Sequence, residues 1–439
     1  MMTYPKRFIR NRVFTATAVG ATALLALTAC GGGGAQQGTA TEFTGEYTGP
    51  KVELDYWNGF TGGDGPFMEK MVEEFNAEHD NIKVVPNTIK WADMYQKLPA
   101  AVQAGEGPDV GVMHLEQLSS NAARNVIVPV DDLAEELELT GDDFTEEVWD
   151  AGVYEDKRYG VPLDVHSLAM YYNTEHFEKA GITEAPTDAA SFEDALKKLK
   201  AAGYENPFWM PAKWPSHLMN LSLLWQNGGE PYDADGAKAT FDSEAGVEGL
   251  EWQTSIIEDG YSPKNVAIDS QYVAFKNGEN SITWDGIWQF NDLEAAGVPY
   301  AAAPIPVIGE EDAVWASSHN FFLPRQATPD ENKVNAAKVF IAWMSENSDT
   351  WAGSGMIPAR TSVREGGALD GTPQEPIAAK VDSMKFLPPV PGLGTVQAET
   401  LEVGVDNAIL GEQEPKEALS KVAAKASQLM EENQASFGK

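Results

Sequence analysis

The chain has 439 residues, of which 43% are hydrophobic and 10% aromatic, values that are typical of a globular protein. It carries 31 Lys and Arg against 67 Asp and Glu, which gives a formal charge of −36 at pH 7. This acidic balance argues against nucleic acid as a partner and against general adhesion to anionic lipid.

The first 29 residues have the three parts of a secretory signal. A basic region containing Lys6, Arg7, Arg10 and Arg12 precedes an apolar run at 13–27, which Thr28 and Ala29 follow as small residues before a cleavage site. The apolar run is shorter than the ~20 residues that a transmembrane helix needs. Removing residues 1–29 takes away four basic and no acidic side chains, which leaves a formal charge of −40.

Cys30 is the only cysteine, and it follows Leu27-Thr28-Ala29 and precedes four glycines. This segment resembles the bacterial lipobox, in which the cysteine sulfur receives diacylglycerol. We therefore predict a lipoprotein anchored through Cys30 at the extracytoplasmic face of the cell membrane; the alternative is an ordinary secretory signal with an incidental cysteine. Residues 30–50 are rich in Gly, Thr and Gln and are predicted to form a flexible tether.

Strand and helix patterns alternate from Lys51 onward, which predicts an α/β fold with a parallel sheet. In chain order the pattern predicts a strand at 52–57, a glycine-rich loop at 59–65, a helix opening at Pro66, a strand at 82–85, a helix at 91–104, a strand at 109–113 and a helix from about 116. It then predicts an extended segment at 159–173, a helix start near 191, a strand at 281–284, and amphipathic helices at 330–344 and 414–430. The length favours two α/β lobes.

Sequence motifs of enzymes and cofactor sites are missing. GxxxxGK[ST], GxSxG, HExxH and CxxC do not occur, and the glycines at 59, 62, 63 and 65 do not follow the dinucleotide spacing. The six histidines are scattered, with no second histidine at helical ligand spacing. We therefore expect no cofactor, no metal and no catalytic activity. Paired carboxylates for glycoside hydrolysis stay open, since 67 acidic residues offer many pairs.

Twelve tryptophans are a high number, and several stand beside polar or turn residues. A sugar ring has an apolar face that stacks on an aromatic ring and a rim of hydroxyls that bonds to planar polar side chains. We assign Trp57 and Trp288 to a binding site on this basis. Trp252 and Trp343 lie within helical patterns and are assigned to the core.

The chain from Lys51 to Phe437 resembles the family 1 extracellular solute-binding proteins, the maltose-binding-protein-like receptors of ABC importers. The resemblance lies in segments 56–60 (YWNGF), 107–110 (GPDV), 159–164 (YGVPLD), 171–182 (YYNTEHFEKAGI), 227–229 (NGG), 275–281 (FKNGENS) with 285–288 (DGIW), 357–360 (IPAR) and 409–412 (ILGE).

This resemblance implies a two-lobe, type II periplasmic-binding-protein-like fold with a ligand cleft and hinge crossovers between the lobes. It places 51–162 plus about 300–345 in the N-terminal lobe and 163–299 plus about 346–439 in the C-terminal lobe. It also implies that ligand favours closure of the hinge, and that ABC transporter permease subunits bind the closed form.

The resemblance carries ligand contacts over to matching positions. The implied ligand-binding residues are Asn58, Phe60, Thr61, Asp64, His114, Glu116, Gln117, Asp164, His166, Trp209, Trp214, Trp284, Asp285, Trp288, His319, Asn320 and Arg360. Glu116-Gln117 stands where maltose receptors have an acid–arginine pair, and no aromatic residue stands near Ala398 to match the C-terminal stacking ring of the family. Both departures argue against a malto-oligosaccharide ligand.

The resulting hypothesis is a monomeric lipoprotein that binds a carbohydrate of di- or oligosaccharide size and passes it to an ABC permease. Two alternatives stay open. One is a surface-anchored glycoside hydrolase or lyase; the other is a receptor for a non-sugar solute such as a polyamine or a glycerol-phosphate ester.

Overall fold

The computed structural model describes residues 45–234 and 236–437. The predicted signal peptide (1–29), Cys30 and the tether up to residue 44 lie outside the described residues. Within the described ranges, no helix is both long and apolar enough to cross a membrane.

The described residues form both strands and helices, which alternate most regularly from β1 to α4. The strands are β1 Val52–Asn58, β2 Ile82–Thr88, β3 Val110–His114, β4 Ile127–Val128, β5 Val153–Tyr154, β6 Lys157–Arg158, β7 Val161–Pro162, β8 Asp164–Asn173, β9 Ile282–Gly286, β10 Tyr300–Ala303, β11 Val314–Ser317, β12 His319–Pro324, β13 Ile357–Pro358 and β14 Met384–Lys385. The helices are α1 Gly65–Glu78, α2 Trp91–Ala104, α3 Leu115–Ala123, α4 Asp131–Glu136, α5 Glu146–Ala151, α6 Thr174–Ala180, α7 Ala189–Ala201, α8 Ser216–Gln226, α9 Glu244–Glu258, α10 Ser270–Lys276, α11 Phe290–Ala296, α12 Glu331–Glu346, α13 Ser348–Ala352, α14 Thr361–Val363, α15 Glu375–Ala378, α16 Leu393–Glu399, α17 Leu401–Ile409 and α18 Pro415–Phe437.

Helix α1 illustrates how the sequence produces these elements. Pro66 occupies the first turn, where its missing N–H costs nothing. Met68, Met71, Val72 and Phe75 follow at helical spacing, and all four are buried. The helix therefore forms because one apolar stripe packs against the sheet while the other faces stay in water.

The first sheet is formed by β1, β2, β3, β4, β7 and β12. Its order is β2-β1-β3-β12-β4, and β7 also pairs with β12. Strands β2 and β3 run parallel to β1, whereas β12 runs antiparallel to β3. The carboxyl ends of β1 and β3 and the amino end of β12 consequently meet at one edge of this sheet.

The second sheet is organised around β8, a ten-residue strand whose side chains are buried on both faces. Strands β9, β10, β11 and β13 all pair with β8, and β14 extends the sheet from β11. Residues 300–303 and 314–317 thus belong to this second sheet. The return to the first sheet begins near His319, and not near 300 as the resemblance implied.

Three chain segments cross between the two sheets. Leu163 joins β7 to β8, Ser318 joins β11 to β12, and residues 353–356 lead from α13, which packs near α1, to β13. These three crossings lie side by side, because β8 pairs with both β11 and β13 at its first four residues. This is the arrangement that a hinge between two lobes requires.

The prediction of an α/β fold is confirmed, but the prediction of a parallel sheet is not. The pairs β1–β2, β1–β3 and β11–β14 are parallel, whereas the other strand pairs of the two sheets are antiparallel. The strands predicted at 52–57, 82–85, 109–113 and 281–284 correspond to β1, β2, β3 and β9, and the extended segment contains β7 and β8. The helices predicted at Pro66, 91–104, 116, 191, 330–344 and 414–430 correspond to α1, α2, α3, α7, α12 and α18.

Candidate functional site

Asp164 lies at the centre of the hinge and has no exposed surface. Its Oδ1 accepts hydrogen bonds from the backbone N–H of His319 (3.0 Å) and from Nδ1 of His166 (3.1 Å). Its Oδ2 accepts from Nδ1 of His319 and from Nε1 of Trp351, both at 2.8 Å. One carboxylate therefore contacts all three crossing segments, since it begins β8 while His319 begins β12 and Trp351 lies in α13.

The Asp164 carboxylate is ionised. Burial by itself would raise its pKa, but the adjacent His319 and the hydrogen bonds from both imidazoles outweigh burial and hold the pKa well below the usual range. An ionised carboxylate only accepts hydrogen bonds, so Nδ1 of His166 and of His319 must each carry a proton.

Three histidines from distant parts of the sequence meet beside this carboxylate. His114 ends β3, His319 begins β12 directly opposite it, and His166 lies on β8 two residues after Asp164, on the same face of that strand. The ring centroids are 4.7 Å apart for His114 and His319, 4.3 Å for His166 and His319, and 5.5 Å for His114 and His166. Histidines that are scattered in the sequence are thus brought together by the fold.

Burial lowers the pKa of His114 well below its ordinary value, and the neighbouring His319 and His166 lower it further. Burial also lowers the pKa of His319, although Asp164 opposes that change. Both imidazoles are consequently neutral at pH 7.

Aromatic rings enclose the histidines on the side of the first lobe. Trp91 stacks on His319 (5.2 Å, 18°) and meets His114 edge to face, and Phe60 contacts Trp91, His319 and Trp351. The sequence alone leaves both Trp91 and Trp351 undecided between the core and the site. One feature of the sequence points to a site role for Trp91: it begins a helix directly after a strand of a predicted parallel sheet, a position where ligand-binding sites commonly lie.

The loop after β1 places Asn58, Phe60 and Asp64 against the hinge, whereas Thr61 is exposed. The Asn58 side chain accepts from the backbone N–H of Phe60, and Asp64 accepts from that of Gly62. Burial raises the pKa of Asp64 to about 7, and the charge of Asp164 adds to the increase.

The same loop meets the second lobe. A Cβ atom added at Gly63 would lie 2.9 Å from the backbone nitrogen of Asp292 and 3.0 Å from the carbonyl oxygen of Trp288. At Gly62 the approach is looser, since an added Cβ would lie 3.7 Å from the Trp288 ring, an ordinary contact distance. The two lobes therefore touch here through backbone, which only residues without a Cβ permit.

Trp288 and Trp214 form an aromatic wall on the second lobe. Their ring centroids are 6.3 Å apart, and Trp288 is also 5.9 Å from His166. Trp214 is 38% exposed, and Trp288 is half-buried. Asp285, one turn before Trp288, accepts from the backbone N–H of Gly286 (2.8 Å) and from the Gln289 amide (3.3 Å), and burial raises its pKa to about 7.

Glu116 and Gln117 begin α3 at the boundary between the lobes. Glu116 accepts from the Ser317 hydroxyl of the second sheet (2.9 Å), and burial raises the pKa of its carboxyl group. The Gln117 amide lies against Gly394 at the start of α16. Both residues thus face elements of the second lobe.

Two tryptophans assigned to the site lie in cores instead. Trp284 is fully buried and stacks on Trp252 (5.3 Å, 15°), so it has no free face for a solute. Trp57 is 3% exposed, with its Nε1 bonded to Asp55 and Lys97 over its ring. The assignment of Trp252 and Trp343 to packing agrees with the contacts of Trp252 with Trp284 and of Trp343 with Phe75.

Three further candidates lie apart from the histidine cluster. The Asn320 side chain is buried on the other face of β12, near Gly160, where it donates to Ser318. Arg360 forms an ion pair with Asp143 (2.7 Å). Trp209 donates its backbone N–H to the Asn280 side chain, and its own Nε1 is buried without a partner among the described residues.

The fold agrees with comparisons to known proteins. A family model described as bacterial extracellular solute-binding protein matches residues 70–379, which is most of the chain. The chain belongs to this family. It therefore binds a solute outside the cytoplasm.

Individual relatives are similar along most of their length. A binding protein of Brucella abortus (strain 2308) is 25% identical over 378 residues, covering 83% of this chain and 90% of the relative. The maltodextrin-binding protein MdxE of Bacillus subtilis (strain 168) is 23% identical, covering 74% and 78%. The GacH receptor of Streptomyces glaucescens, solved unliganded and with acarbose, has a TM-score of 0.77 at 20% identity, covering 87% and 99%. These relatives are binding proteins, and the last shows that the two-lobe fold is shared.

We expect Asp164→Asn to lower the free energy of unfolding by about 3–5 kcal/mol, because one amide oxygen cannot accept from four buried donors. Urea denaturation measures the loss. The control is Asp312→Asn, which removes an ion pair with Lys380 (2.6 Å) between two exposed side chains and should cost about 0–1 kcal/mol. Similar losses in the two variants would contradict the role assigned to Asp164.

Asp285 should make stability depend on pH. Its pKa is about 7 when folded and roughly 3.9 when unfolded, so stability falls as the pH rises from about 4 to about 7. Asp285→Asn removes this loss, which is on the order of 4 kcal/mol at most. The variant should unfold at a higher urea concentration than the wild type at pH 8, with the advantage vanishing near pH 4. An advantage that is constant across this range would count against burial as its cause.

Proposed function

We propose that the protein captures a carbohydrate of di- or oligosaccharide size between its two lobes and delivers it to an ABC transporter permease by hinge closure. The observation that carries this proposal is the aromatic wall of Trp214 and Trp288, with the carboxylate of Asp285 beside it. The names of similar proteins support it, since they include maltodextrin and arabinooligosaccharide binders.

The wall has the chemistry that a sugar needs. Flat rings such as those of Trp214 and Trp288 stack on the apolar face of a pyranose. Asp285 and Gln289, which flank Trp288 in the chain, and Asp64 and Glu116 of the first lobe offer planar side chains that can bond to hydroxyls. Three of these four side chains are acidic, which disfavours a phosphate ester.

Solute entry requires the lobes to separate. A pocket between Leu115 and Glu116 of the first lobe and Trp315 and Ser317 of the second has a volume of about 10 Å³, room for one water. Gly63 and Trp288 also touch across the boundary. A solute that contacts both lobes stabilises the closed form, which gives a permease two distinct states to recognise.

The hydrolase alternative finds little support at the hinge. A glycosidase needs two carboxyl groups facing the substrate, with their pKa values pushed apart. Asp64 and Asp164 have opposite pKa changes, but both oxygens of Asp164 already accept two hydrogen bonds each. That carboxylate therefore has no free position for a water or a sugar carbon.

We further propose that Cys30 carries the lipid anchor and that residues 31–50 act as its tether. Such a tether would keep the two lobes near the membrane and the importer. Two acyl chains are needed for stable anchoring, since a single chain holds a protein only marginally.

The binding proposal predicts the effect of removing the stacking ring. Trp288→Ala should weaken binding of the best carbohydrate by about 1–3 kcal/mol, because the sugar loses its stacking face. A thermal-shift screen of neutral oligosaccharides, polyamines and phosphate esters identifies that ligand, since binding to the native state raises the melting temperature. Titration calorimetry then gives the affinity of each variant.

Trp343→Ala is the matched control, because Trp343 is half-buried on α12 and packs against Phe75 away from the hinge. It should leave the affinity unchanged even if it lowers the melting temperature. An unchanged affinity in Trp288→Ala, or hydrolysis of the bound sugar by the wild type, would contradict the proposal.

The anchor proposal predicts where the protein is found in a cell that produces it. Cys30→Ser should move the protein from the membrane fraction to the soluble extracytoplasmic fraction or leave its signal uncleaved, because serine offers no thiol for diacylglycerol. Metabolic labelling with a radioactive fatty acid checks this directly. Label incorporated equally into both forms would refute the assignment.

A further inference from the structure

The three histidines at the hinge have a feature that sugar binding does not require. Each ring offers one nitrogen, and these three nitrogens lie within 4.8 Å of one another. His166 and His319 are almost fully buried, and Nε2 of His166 has no hydrogen-bond partner among the described residues. A buried polar atom without a partner is costly, so such an atom in a native fold calls for a ligand.

The other nitrogen of each ring is already held. Nδ1 of His166 and Nδ1 of His319 donate to the two oxygens of Asp164, and Nδ1 of His114 contacts the Tyr95 hydroxyl. In a neutral imidazole whose Nδ1 carries the proton, Nε2 has the free lone pair. We infer that the carboxylate and the hydroxyl orient the rings with Nε2 as the ligand atom, as outer partners do for metal-bound histidines.

We propose that His114, His166 and His319 bind one divalent transition-metal ion, Zn²⁺ by preference, at the hinge between the lobes. Three neutral imidazoles suit Zn²⁺, Co²⁺, Ni²⁺ or Cu²⁺ and do not suit Mg²⁺ or Ca²⁺, which prefer oxygen. Three protein ligands leave the fourth position of a tetrahedral ion open to water or to an oxygen of the solute.

The geometry needs only a small adjustment. Ligand distances of roughly 2.0–2.1 Å in a tetrahedral zinc site set the nitrogens roughly 3.4 Å apart. The present upper separation of 4.8 Å means that the rings would draw closer on binding. They can do so because His114 and His319 lie on paired strands of the first sheet, whereas His166 lies on β8 of the second. Metal binding would therefore pull the hinge segments together.

The test uses the full chain, purified in detergent without a polyhistidine tag and stripped of metal with a chelator. Titration with ZnCl₂ alone should give one ion per chain. Titration with CoCl₂ should give the intense visible absorption of a tetrahedral site. Weak octahedral-type absorption, or no saturable stoichiometric binding of either ion, would overturn the proposal.

Variants locate the site. His114→Ala and His166→Ala should each lower the Zn²⁺ affinity by about 100-fold or more, because a three-ligand site cannot lose one ligand cheaply. The matched control is His79→Ala, a histidine that stacks on Phe75 far from the hinge, and it should bind Zn²⁺ as the wild type does. Equal affinities in all three variants would mean that the ion binds elsewhere, which would refute the site.

Tyr95→Phe keeps the test valid if a histidine variant fails to fold. It removes only the hydroxyl that holds Nδ1 of His114, and it should weaken Zn²⁺ binding by about 10-fold while the Co²⁺ spectrum keeps its tetrahedral form. An unchanged affinity in Tyr95→Phe would contradict the ligand role of His114. All of these measurements are made without sugar, so their outcome is independent of the carbohydrate proposal.

Discussion

The hinge of this protein depends on a single buried carboxylate. Asp164 begins the longest strand of the second sheet and accepts hydrogen bonds from His319 and Trp351, so its two oxygens hold the three crossing segments in one place. A buried charge is tolerated only when it is fully hydrogen-bonded, and four donors meet that requirement. Asp164 therefore leaves no unpaired charge at the junction of the lobes.

Much of the fold could be predicted because it depends on local patterns. The helix beginning at Pro66 follows from a proline in the first turn and a buried apolar stripe. The extended segment before Asn173 follows from an unbroken apolar run, which is typical of a strand that is buried on both faces. The point at which the chain returns to the first sheet could not be predicted. Strands β10 and β11 belong to the second sheet because they pair with β8, and their own sequence does not indicate that pairing.

The candidate site could not be predicted from local sequence patterns alone. Trp284 and Trp288 stand four residues apart in similar surroundings, yet Trp284 points into the core from β9 and Trp288 lies beyond the end of that strand. In a strand that is buried at every position, such as β9, the sequence does not indicate which side chains face the core and which face the site. The cluster of His114, His166 and His319 could not be predicted either, because its members come from three strands that meet only in the folded chain.

Gly63 affects how closely the two lobes can approach each other, and not the conformation of a turn. Its backbone conformation is open to any residue, but a Cβ atom there would press on the backbone of Asp292 and Trp288 in the opposite lobe. The absence of a Cβ atom at Gly63 therefore allows the two lobes to approach this closely. Any side chain at this position would keep the lobes further apart and so limit their closure.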